Sequence, residues 1–201
     1  MSALPRVCVI GAGSSGIAVV KALKDRGIPH TCFETGDDIG GNWYFRNSNG
    51  MSAAYASLHI NTDAKLMEYR DYPMPPDTPD YPSHRVIKAY FDDYAAHFGL
   101  RERIRFNTEV TRAERAADGS WAVTLGSGET ERFDALVVAN GHHWDPRWPD
   151  PPYPGEFDGP QIHSHEYMSP HEPLDFHGKR VLVVGMGNSA MDIACELSRP
   201  G

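Results

Sequence analysis

The sequence predicts an α/β fold with two Rossmann-like domains, the second of which is only begun in this chain. A strand–glycine–helix unit near the N-terminus and a second copy of it near the C-terminus support this prediction. Between the two units, short β-rich segments separated by glycine turns predict a small antiparallel meander inside the first domain.

The first unit begins a few residues after the N-terminus. Arg6–Ile10 is β-branched and apolar, which is typical of a buried parallel strand. Ser14–Arg26 is rich in alanine, valine, leucine and lysine and predicts a helix that ends at Gly27. Thr31–Glu34 predicts a second strand, so the three segments together predict a βαβ unit.

The middle of the chain predicts an extended segment, one helix and the meander. Prolines from Pro73 to Pro82 predict an extended surface segment, after which Ser83 is placed to cap a helix over roughly Val86–Phe98. Three further segments with turns between them predict strands: Ile104–Arg115, Trp121–Leu125 and Arg132–Val138.

A proline-rich connector over residues 146–160 leads to the second unit. Lys179–Val184 has the pattern of a buried strand, and Asn188 to about Ser198 has that of a helix. We therefore predict a first domain over residues 1–150, a linker over residues 151–178 and the start of a second domain over residues 179–201. The first domain is expected to need a closing part from further along the chain.

The formal net charge of −8 argues against a nucleic-acid partner, because phosphate contacts need a basic surface. We find no signal-peptide pattern and no apolar run long enough to span a membrane, so no membrane association is predicted. Cys8, Cys32 and Cys195 have no metal-ligand spacing and predict buried, reduced thiols. Together these features predict a cytoplasmic protein.

A glycine-rich loop with the spacing G-x-G-x-x-G opens the first predicted helix. In such a loop the first glycine permits a tight turn, the second lets the backbone approach a pyrophosphate, and the third lets helix and strand pack closely. The pyrophosphate then lies at the helix N-terminus, where free N–H groups favour an anion. The alternative is a glycine turn of an unrelated α/β fold. The predicted binding residues are Gly11, Ala12, Gly13, Ser14, Ser15 and Gly16.

Glu34 ends the second predicted strand and strengthens a glycine pattern that is weak alone. An acidic residue at this position accepts hydrogen bonds from ribose hydroxyls and would repel a 2′-phosphate. The first loop is therefore expected to bind FAD or NAD rather than NADP.

A second glycine loop follows the strand predicted at residues 179–184. Two dinucleotide loops in one chain are most simply explained by a flavin that a nicotinamide cofactor reduces. The residue that separates NADH from NADPH belongs at the end of the next strand, beyond Gly201. A strand–turn–helix without a ligand is the alternative. The predicted binding residues are Gly185, Gly187, Asn188, Ser189 and Ala190.

The stretch before the second loop resembles the fingerprint of the flavin-containing monooxygenase family, F-x-G-x-x-x-H-x-x-x-Y. Its four fixed positions are matched by Phe157, Gly159, His163 and Tyr167. The related Baeyer–Villiger monooxygenases usually end this motif in tryptophan, so Tyr167 favours the first family. The resemblance implies that His163 locks the linker and helps to seat the nicotinamide nucleotide.

Other segments resemble the same family and extend the predicted cofactor site. Gly40–Trp43 is similar to the family's G-G-x-W stretch, which implies that Asn42 and Trp43 line the flavin. Asn61 and Thr62 resemble the family's active-site asparagine region. The remaining predicted cofactor-binding residues are Val110 in a predicted strand, and Ala139 and Gly141 in a turn that resembles one returning towards the flavin.

The resemblance implies FAD and NADPH as cofactors. NADPH would reduce the flavin, O2 would form a C4a-hydroperoxyflavin, and a soft nucleophile (an amine nitrogen or a sulfide sulfur) would take one oxygen atom. The cofactor carries the hard step, so no acid–base triad is expected. Asn61 is the predicted catalytic residue, whose amide would donate to the oxygenated flavin or hold NADP⁺ and substrate. An asparagine that caps a local turn is the alternative.

Other functions stay open at this point. A Baeyer–Villiger or N-hydroxylating monooxygenase would use the same cofactors, and a non-catalytic FAD-binding fragment would explain a second domain that is only begun. A homodimer, or a separate C-terminal half, would be the protein partner. Ten histidines invite a metal site, but their spacing fits no standard zinc pattern, so no metal is predicted.

Overall fold

The computed structural model describes residues 4–199 and confirms a mixed α/β fold with one parallel and one antiparallel sheet. Residues 1–3 and 200–201, at the ends of the predicted domains, lie outside the described residues. The helices are α1 (Ser14–Asp25), α2 (Ala64–Met67), α3 (His84–His97) and α4 (Asn188–Leu197). The strands are β1 (Val7–Ile10), β2 (His30–Phe33), β3 (Ile104–Arg105), β4 (Val110–Arg115), β5 (Trp121–Leu125), β6 (Thr130–Phe133) and β7 (Ala135–Val138).

The parallel sheet has the order β3-β2-β1-β7, and β1 pairs with β2 and β7 in parallel register. Side chains of β1 alternate between two apolar layers, because successive residues of a strand point to opposite faces. Val7 and Val9 pack in the layer formed with α1 and α3, whereas Cys8 packs in the layer beneath the antiparallel sheet. The central strand is therefore buried on both faces, as its apolar sequence predicts.

The predicted βαβ unit is confirmed by β1, α1 and β2. Gly27 follows the end of α1 with φ +63°, a conformation that glycine adopts without steric cost. Ser83 holds the N-cap position of α3, but its hydroxyl makes no capping hydrogen bond, which corrects the role predicted for its side chain.

Two predicted strands are each divided between the two sheets, which corrects their extents. Ile104–Arg115 consists of β3, which pairs with β2, and β4, which pairs with β5. Asn107 lies between them with φ +50°, and this left-handed residue ends the straight strand. Arg132–Val138 is divided between β6 and β7, where the Asp134 N–H donates to the carbonyl oxygen of Arg6. The predicted meander is therefore β4-β5-β6 alone.

The strand predicted over Lys179–Val184 is wrong for the described residues. This segment has no strand assignment, and Leu182 is 85% exposed. A strand needs a hydrogen-bonded neighbour, and no strand within residues 4–199 pairs with this segment. The helix predicted after it does form, as α4.

Candidate cofactor site

The first glycine loop joins β1 to α1 in a tight turn. Two positions of this turn have room for glycine only. Gly11 has φ +95°, and a methyl group at Gly16 would overlap the carbonyl oxygen of Gly11. A methyl group at Gly11 would lie 2.6 Å from the carbonyl oxygen of Ala139. The loop therefore allows the close packing of helix and strand that the glycine pattern predicts.

The N-terminus of α1 is open to an anion. Its N-cap residue, Gly13, has no side chain to occupy the free N–H groups, and the first turn contains no acidic residue. Free N–H groups and the helix dipole both favour negative charge at this end. The Tyr69 hydroxyl donates to the Ser14 carbonyl oxygen at 2.6 Å and fixes the first turn from the side. The residues present therefore fit a dinucleotide pyrophosphate.

Glu34 is fixed beside the loop at the carboxyl end of β2. Its Oε2 accepts from the Ala12 N–H and its Oε1 from the Gly36 N–H, each at 2.7 Å. A carboxylate oxygen has two lone pairs, so each oxygen can accept a second hydrogen bond from a ribose hydroxyl. The half-buried carboxylate is therefore oriented by two backbone N–H groups, one of which belongs to the glycine loop.

The segment Gly40–Trp43 forms the opposite wall of the loop. The Gly40 N–H donates to the Ala12 carbonyl oxygen at 3.1 Å, and a methyl group at Gly41 would lie 3.1 Å from the Cα of Gly13. Asn42 Oδ1 accepts from the Ala53 N–H at 2.9 Å, which ties this wall to the following loop. Trp43 is half-buried and packs against the main core.

Trp43 also lines a cavity of about 310 Å³ on the side of the wall facing α3. Its other lining residues include Tyr44, Phe45, His84 and Lys88. A second cavity, of about 280 Å³, lies against the first turn of α1 and is lined in part by Ser14, Ser15 and Tyr69.

The turn after β7 closes the loop from a third side. Its Ala139 N–H donates to the Ile10 carbonyl oxygen at 2.8 Å, next to Gly11. Gly141 has φ +68° with open space around its Cα, so the chain turns away from the sheet there. Ala139 is therefore brought to the first loop as predicted.

Asn61 and Thr62 lie in an exposed turn before α2. The Ile60 N–H donates to the Pro82 carbonyl oxygen, which fixes the start of this turn against the segment before α3. The Thr62 hydroxyl donates to Asn61 Oδ1 at 3.4 Å, whereas the Asn61 amide nitrogen donates to no protein group within residues 4–199. The amide N–H groups are free for a ligand.

Val110 lies on the other face of the parallel sheet. Its side chain packs with Phe33, Val123 and Leu125 in the apolar layer beneath the meander. The half-buried side chain of Val110 is therefore part of this apolar layer.

The second glycine loop repeats the local geometry of the first, but no strand of the described residues 4–199 precedes it. Gly185 has φ +131°, and Gly187 is the N-cap of α4 with no capping side chain and no acidic residue in the first turn. A methyl group at Gly185 would lie 3.7 Å from the Ala190 Cβ, so alanine is tolerated as the third small residue. Asn188 and Ser189 begin the helix and are exposed.

The fingerprint segment ends in a contact that sequence reasoning missed. Tyr167 is 1% exposed, and its hydroxyl donates to Glu196 Oε2 of α4 at 2.8 Å. The Tyr55 hydroxyl donates to Asp192 Oδ2 at 2.6 Å. No sequence signal connects these residues, because the hydrogen bonds join segments far apart in the chain.

The remaining fingerprint residues lie nearer the surface. Phe157 is exposed, and its ring lies so close to Gly159 that a methyl group there would be 2.6 Å from it. His163 contacts Trp148 edge to face, with ring centroids 5.6 Å apart.

The cysteines differ from the prediction in one case. Burial raises the pKa of the Cys8 and Cys32 thiols to about 12, so both stay protonated. Cys195 is exposed on α4, which corrects its predicted burial. In the part of the chain that the structure describes, His, Cys, Asp and Glu form no group of three that could hold a metal. No helix among residues 4–199 combines the length and apolar character needed to cross a bilayer.

A glycine turn from a strand to a helix N-terminus, with an oriented carboxylate after the next strand, is the arrangement typical of dinucleotide-binding α/β proteins. The family model described as flavin-binding monooxygenase-like matches residues 4–201. The chain belongs to this family.

Curated relatives support the same membership. Flavin-containing monooxygenase 5 of Rattus norvegicus is 38% identical over 204 residues, which cover 96% of this chain and 38% of the relative. N-oxide-forming dimethylaniline monooxygenase 2 of Mus musculus is 42% identical, with 96% of this chain and 38% of the relative covered. The chain thus spans well under half the length of these relatives.

Solved structures resemble the chain over nearly its full length. S-allyl-L-cysteine S-oxygenase from Allium sativum has a TM-score of 0.80 at 30% identity, covering 97% of this chain and 49% of that one. Cyclohexanone monooxygenase with bound ε-caprolactone has a TM-score of 0.74 at 29% identity, covering 96% and 37%. OTEMO in complex with FAD and NADP has a TM-score of 0.76 at 27% identity, covering 98% and 37%.

Proposed function

We propose that this chain binds FAD at its first glycine loop and belongs to an FAD- and NADPH-dependent monooxygenase that oxygenates a soft nucleophile. The observation that carries the proposal is the first loop itself, with an open helix N-terminus and a Glu34 carboxylate held beside it. Family membership supports the flavin, and a complex of OTEMO with FAD and NADP supports both cofactors.

The residues around the loop have distinct roles in this proposal. The N–H groups at the start of α1 would bind the pyrophosphate, and Glu34 would accept from the ribose hydroxyls. Asn42 and Trp43 would line the flavin, and Ala139 and Gly141 would contribute to the same site. When bound, the flavin would accept a hydride from NADPH and then activate O2 for the transfer of one oxygen atom.

Asn61 is the proposed catalytic residue, and Thr62 its neighbour at the cofactor. The Thr62 hydroxyl lies 3.4 Å from the Asn61 side-chain oxygen, and the Asn61 amide N–H groups are left to donate to the reacting centre or to the nicotinamide. The protein would otherwise contribute orientation and exclusion of water. Val110 would reach the cofactor from the start of β4.

The second loop is proposed as the NADPH site. Gly185, Gly187 and the start of α4 offer open N–H groups to a second pyrophosphate. We accordingly propose an FAD domain over residues 1–150, a linker over residues 151–178 and the start of an NADP domain at residue 179. A cytoplasmic location belongs to the same proposal and rests on the composition and on three cysteines without metal-ligand spacing.

The proposed substrate is an amine or a sulfide. Relatives named as N-oxide-forming and S-oxygenating support nitrogen and sulfur as the acceptor atoms. A Baeyer–Villiger activity is the second candidate, since cyclohexanone monooxygenase is structurally similar. The proposed protein partner is a second copy of this chain or a separate C-terminal half.

The test is reduction of the bound flavin under anaerobic conditions, followed by product analysis. NADPH should bleach the flavin absorbance of the loaded chain, and readmission of air with a sulfide or a tertiary amine should give sulfoxide or N-oxide. A ketone converted to an ester instead would support the second candidate. Bound flavin that NADPH leaves oxidised would contradict turnover by this chain and indicate a flavin-binding fragment.

A further inference from the structure

Two carboxylates one turn apart on α4 hold this helix against other parts of the chain. Glu196 Oε2 accepts from both the Tyr167 hydroxyl and the Ser57 hydroxyl, each at 2.8 Å. Asp192 Oδ2 accepts from the Tyr55 hydroxyl at 2.6 Å. We refer to these five residues as the α4 clasp.

The clasp surrounds a small apolar core. Tyr55, Tyr167 and Ile193 are each at most 6% exposed and pack together, with the two tyrosine rings in edge contact at 6.1 Å between centroids. Burial, and then the hydrogen bond to Glu196, raises the pKa of the Tyr167 phenol. Tyr167 therefore stays protonated at neutral pH and can donate to Glu196.

The linker is fastened to the same region at two more points. The Ala56 N–H donates to the Met168 carbonyl oxygen at 2.8 Å, one residue beyond Tyr167. Arg46 forms an ion pair with Glu172. Segment 55–57 of the first domain is thus joined both to the linker and to α4.

The second glycine loop has little packing of its own. Met186 is 90% exposed, and nothing lies within 4 Å of the Cβ position of Gly187. Because α4 begins at this loop, the orientation of its free N–H groups relative to the first domain depends on what holds α4. Within residues 4–199, hydrogen bonds from the first domain to α4 side chains are those of Tyr55 and Ser57.

We propose that Glu196 and Asp192 are positioning residues that fix the second glycine loop relative to the first domain, with Tyr167 and Tyr55 as their donors. The part concerning nucleotide binding rests on the proposed function, whereas the clasp itself does not. Tyr167 then acts through Glu196 on the orientation of the second nucleotide site, without contacting the nucleotide.

Hydrogen exchange of the full chain tests the clasp without any ligand. In Tyr167→Phe, amides of α4 should exchange about tenfold faster, because a hydrogen bond to a charged acceptor is large enough to give this factor. Glu196→Ala also loses the hydrogen bond from Ser57 and should speed exchange by at least as much. Amides of β1 are the internal reference and should not change. Tyr153→Phe, on an exposed linker tyrosine, is the matched control.

A double variant separates the hydrogen bond from general loss of packing. If Tyr167 and Glu196 act through one contact, the double variant should exchange within about twofold of the faster single variant. Glu196→Gln keeps an acceptor of the same size and should recover part of the protection that Glu196→Ala loses. Two results would overturn the clasp. One is a double variant whose α4 exchange rate rises by the product of the two single effects, and the other is a Glu196→Gln variant whose α4 amides are no better protected than those of Glu196→Ala.

Nucleotide binding tests the positioning role. Tyr167→Phe and Glu196→Ala should raise the NADP⁺ dissociation constant at least fivefold, while the FAD dissociation constant and absorbance spectrum stay those of the parent. Unchanged NADP⁺ affinity in variants whose α4 exchanges faster would overturn the positioning role. A parent chain that binds FAD but no NADP⁺ would contradict the proposed second site. The hydrogen-exchange rates of the single and double variants would still test the clasp in that case.

Discussion

Replacement of Glu34 by glutamine probes the first glycine loop with the smallest change in shape. The two carboxylate oxygens of Glu34 accept from the Ala12 and Gly36 N–H groups, each at 2.7 Å. In Glu34→Gln the single amide oxygen can face only one of these donors, and the amide nitrogen then faces the other. The substitution therefore removes the charge and one acceptor.

The size of the effect follows from these two hydrogen bonds. A hydrogen bond to a charged group contributes about 1.5–3 kcal/mol, and Glu34 is half-buried, so the free energy of unfolding should fall by about 2 kcal/mol. FAD would lose a charged acceptor for its ribose hydroxyls as well. At 1.4 kcal/mol per tenfold, its dissociation constant should rise by roughly ten- to a hundredfold.

Two assays measure these quantities separately. Urea unfolding followed by tryptophan fluorescence gives the free energy of unfolding, and titration followed by flavin absorbance gives the dissociation constant. Glu156→Gln, on an exposed linker residue, is the control and should change neither quantity. A Glu34→Gln chain that binds FAD as tightly as the parent would refute the assignment of Glu34 to the ribose.

Three further predictions concern the loop, a buried histidine and the cysteines. Gly16→Ala should abolish FAD binding and lower the free energy of unfolding by more than about 3 kcal/mol, because the added methyl group would overlap the Gly11 carbonyl oxygen. A folded variant that retains the flavin absorbance would contradict this prediction. Burial lowers the pKa of His84, so the unfolded chain takes up its proton first, and stability measured by urea unfolding should fall as the pH drops below about 6.5. His84→Gln should flatten this part of the profile, and an unchanged slope would assign it to other groups. A thiol reagent at pH 8 should modify Cys195 alone in the folded chain, because the other two cysteines are buried with raised pKa; more than one modified thiol would be inconsistent with this burial.

The local geometry of the first glycine loop could be predicted because its signals are local. A glycine that must adopt φ +95°, a helix start without a capping side chain and an acid after the next strand are all visible in a short stretch of sequence. The family resemblance predicts that the turn at Ala139 returns towards the cofactor, and β7 brings this residue to the first loop by pairing with β1.

The α4 clasp could not be predicted because its partners are distant in the sequence. Tyr55 and Asp192 are 137 positions apart, and neither residue belongs to a recognisable motif. The sequence identifies Tyr167 only as the last residue of the fingerprint, whereas its hydrogen bond to α4 depends on the tertiary position of Glu196.

The strand predicted at Lys179–Val184 does not form, for a related reason. Its apolar pattern describes which side chains favour burial, but a strand also requires neighbours for its backbone N–H and C=O groups. No described strand supplies them, and Val181, Leu182 and Val184 are exposed. The predicted strand Ile104–Arg115 likewise changes its pairing partner at Asn107, and the apolar pattern alone does not mark this residue as the end of a strand.

The most direct measurement is the absorbance spectrum of the purified chain after incubation with FAD and removal of the unbound cofactor. We predict a flavin spectrum with close to one FAD per chain, retained by the parent and lost in Gly16→Ala. A parent chain that is folded by circular dichroism yet carries no flavin would contradict the assignment of the first glycine loop to FAD.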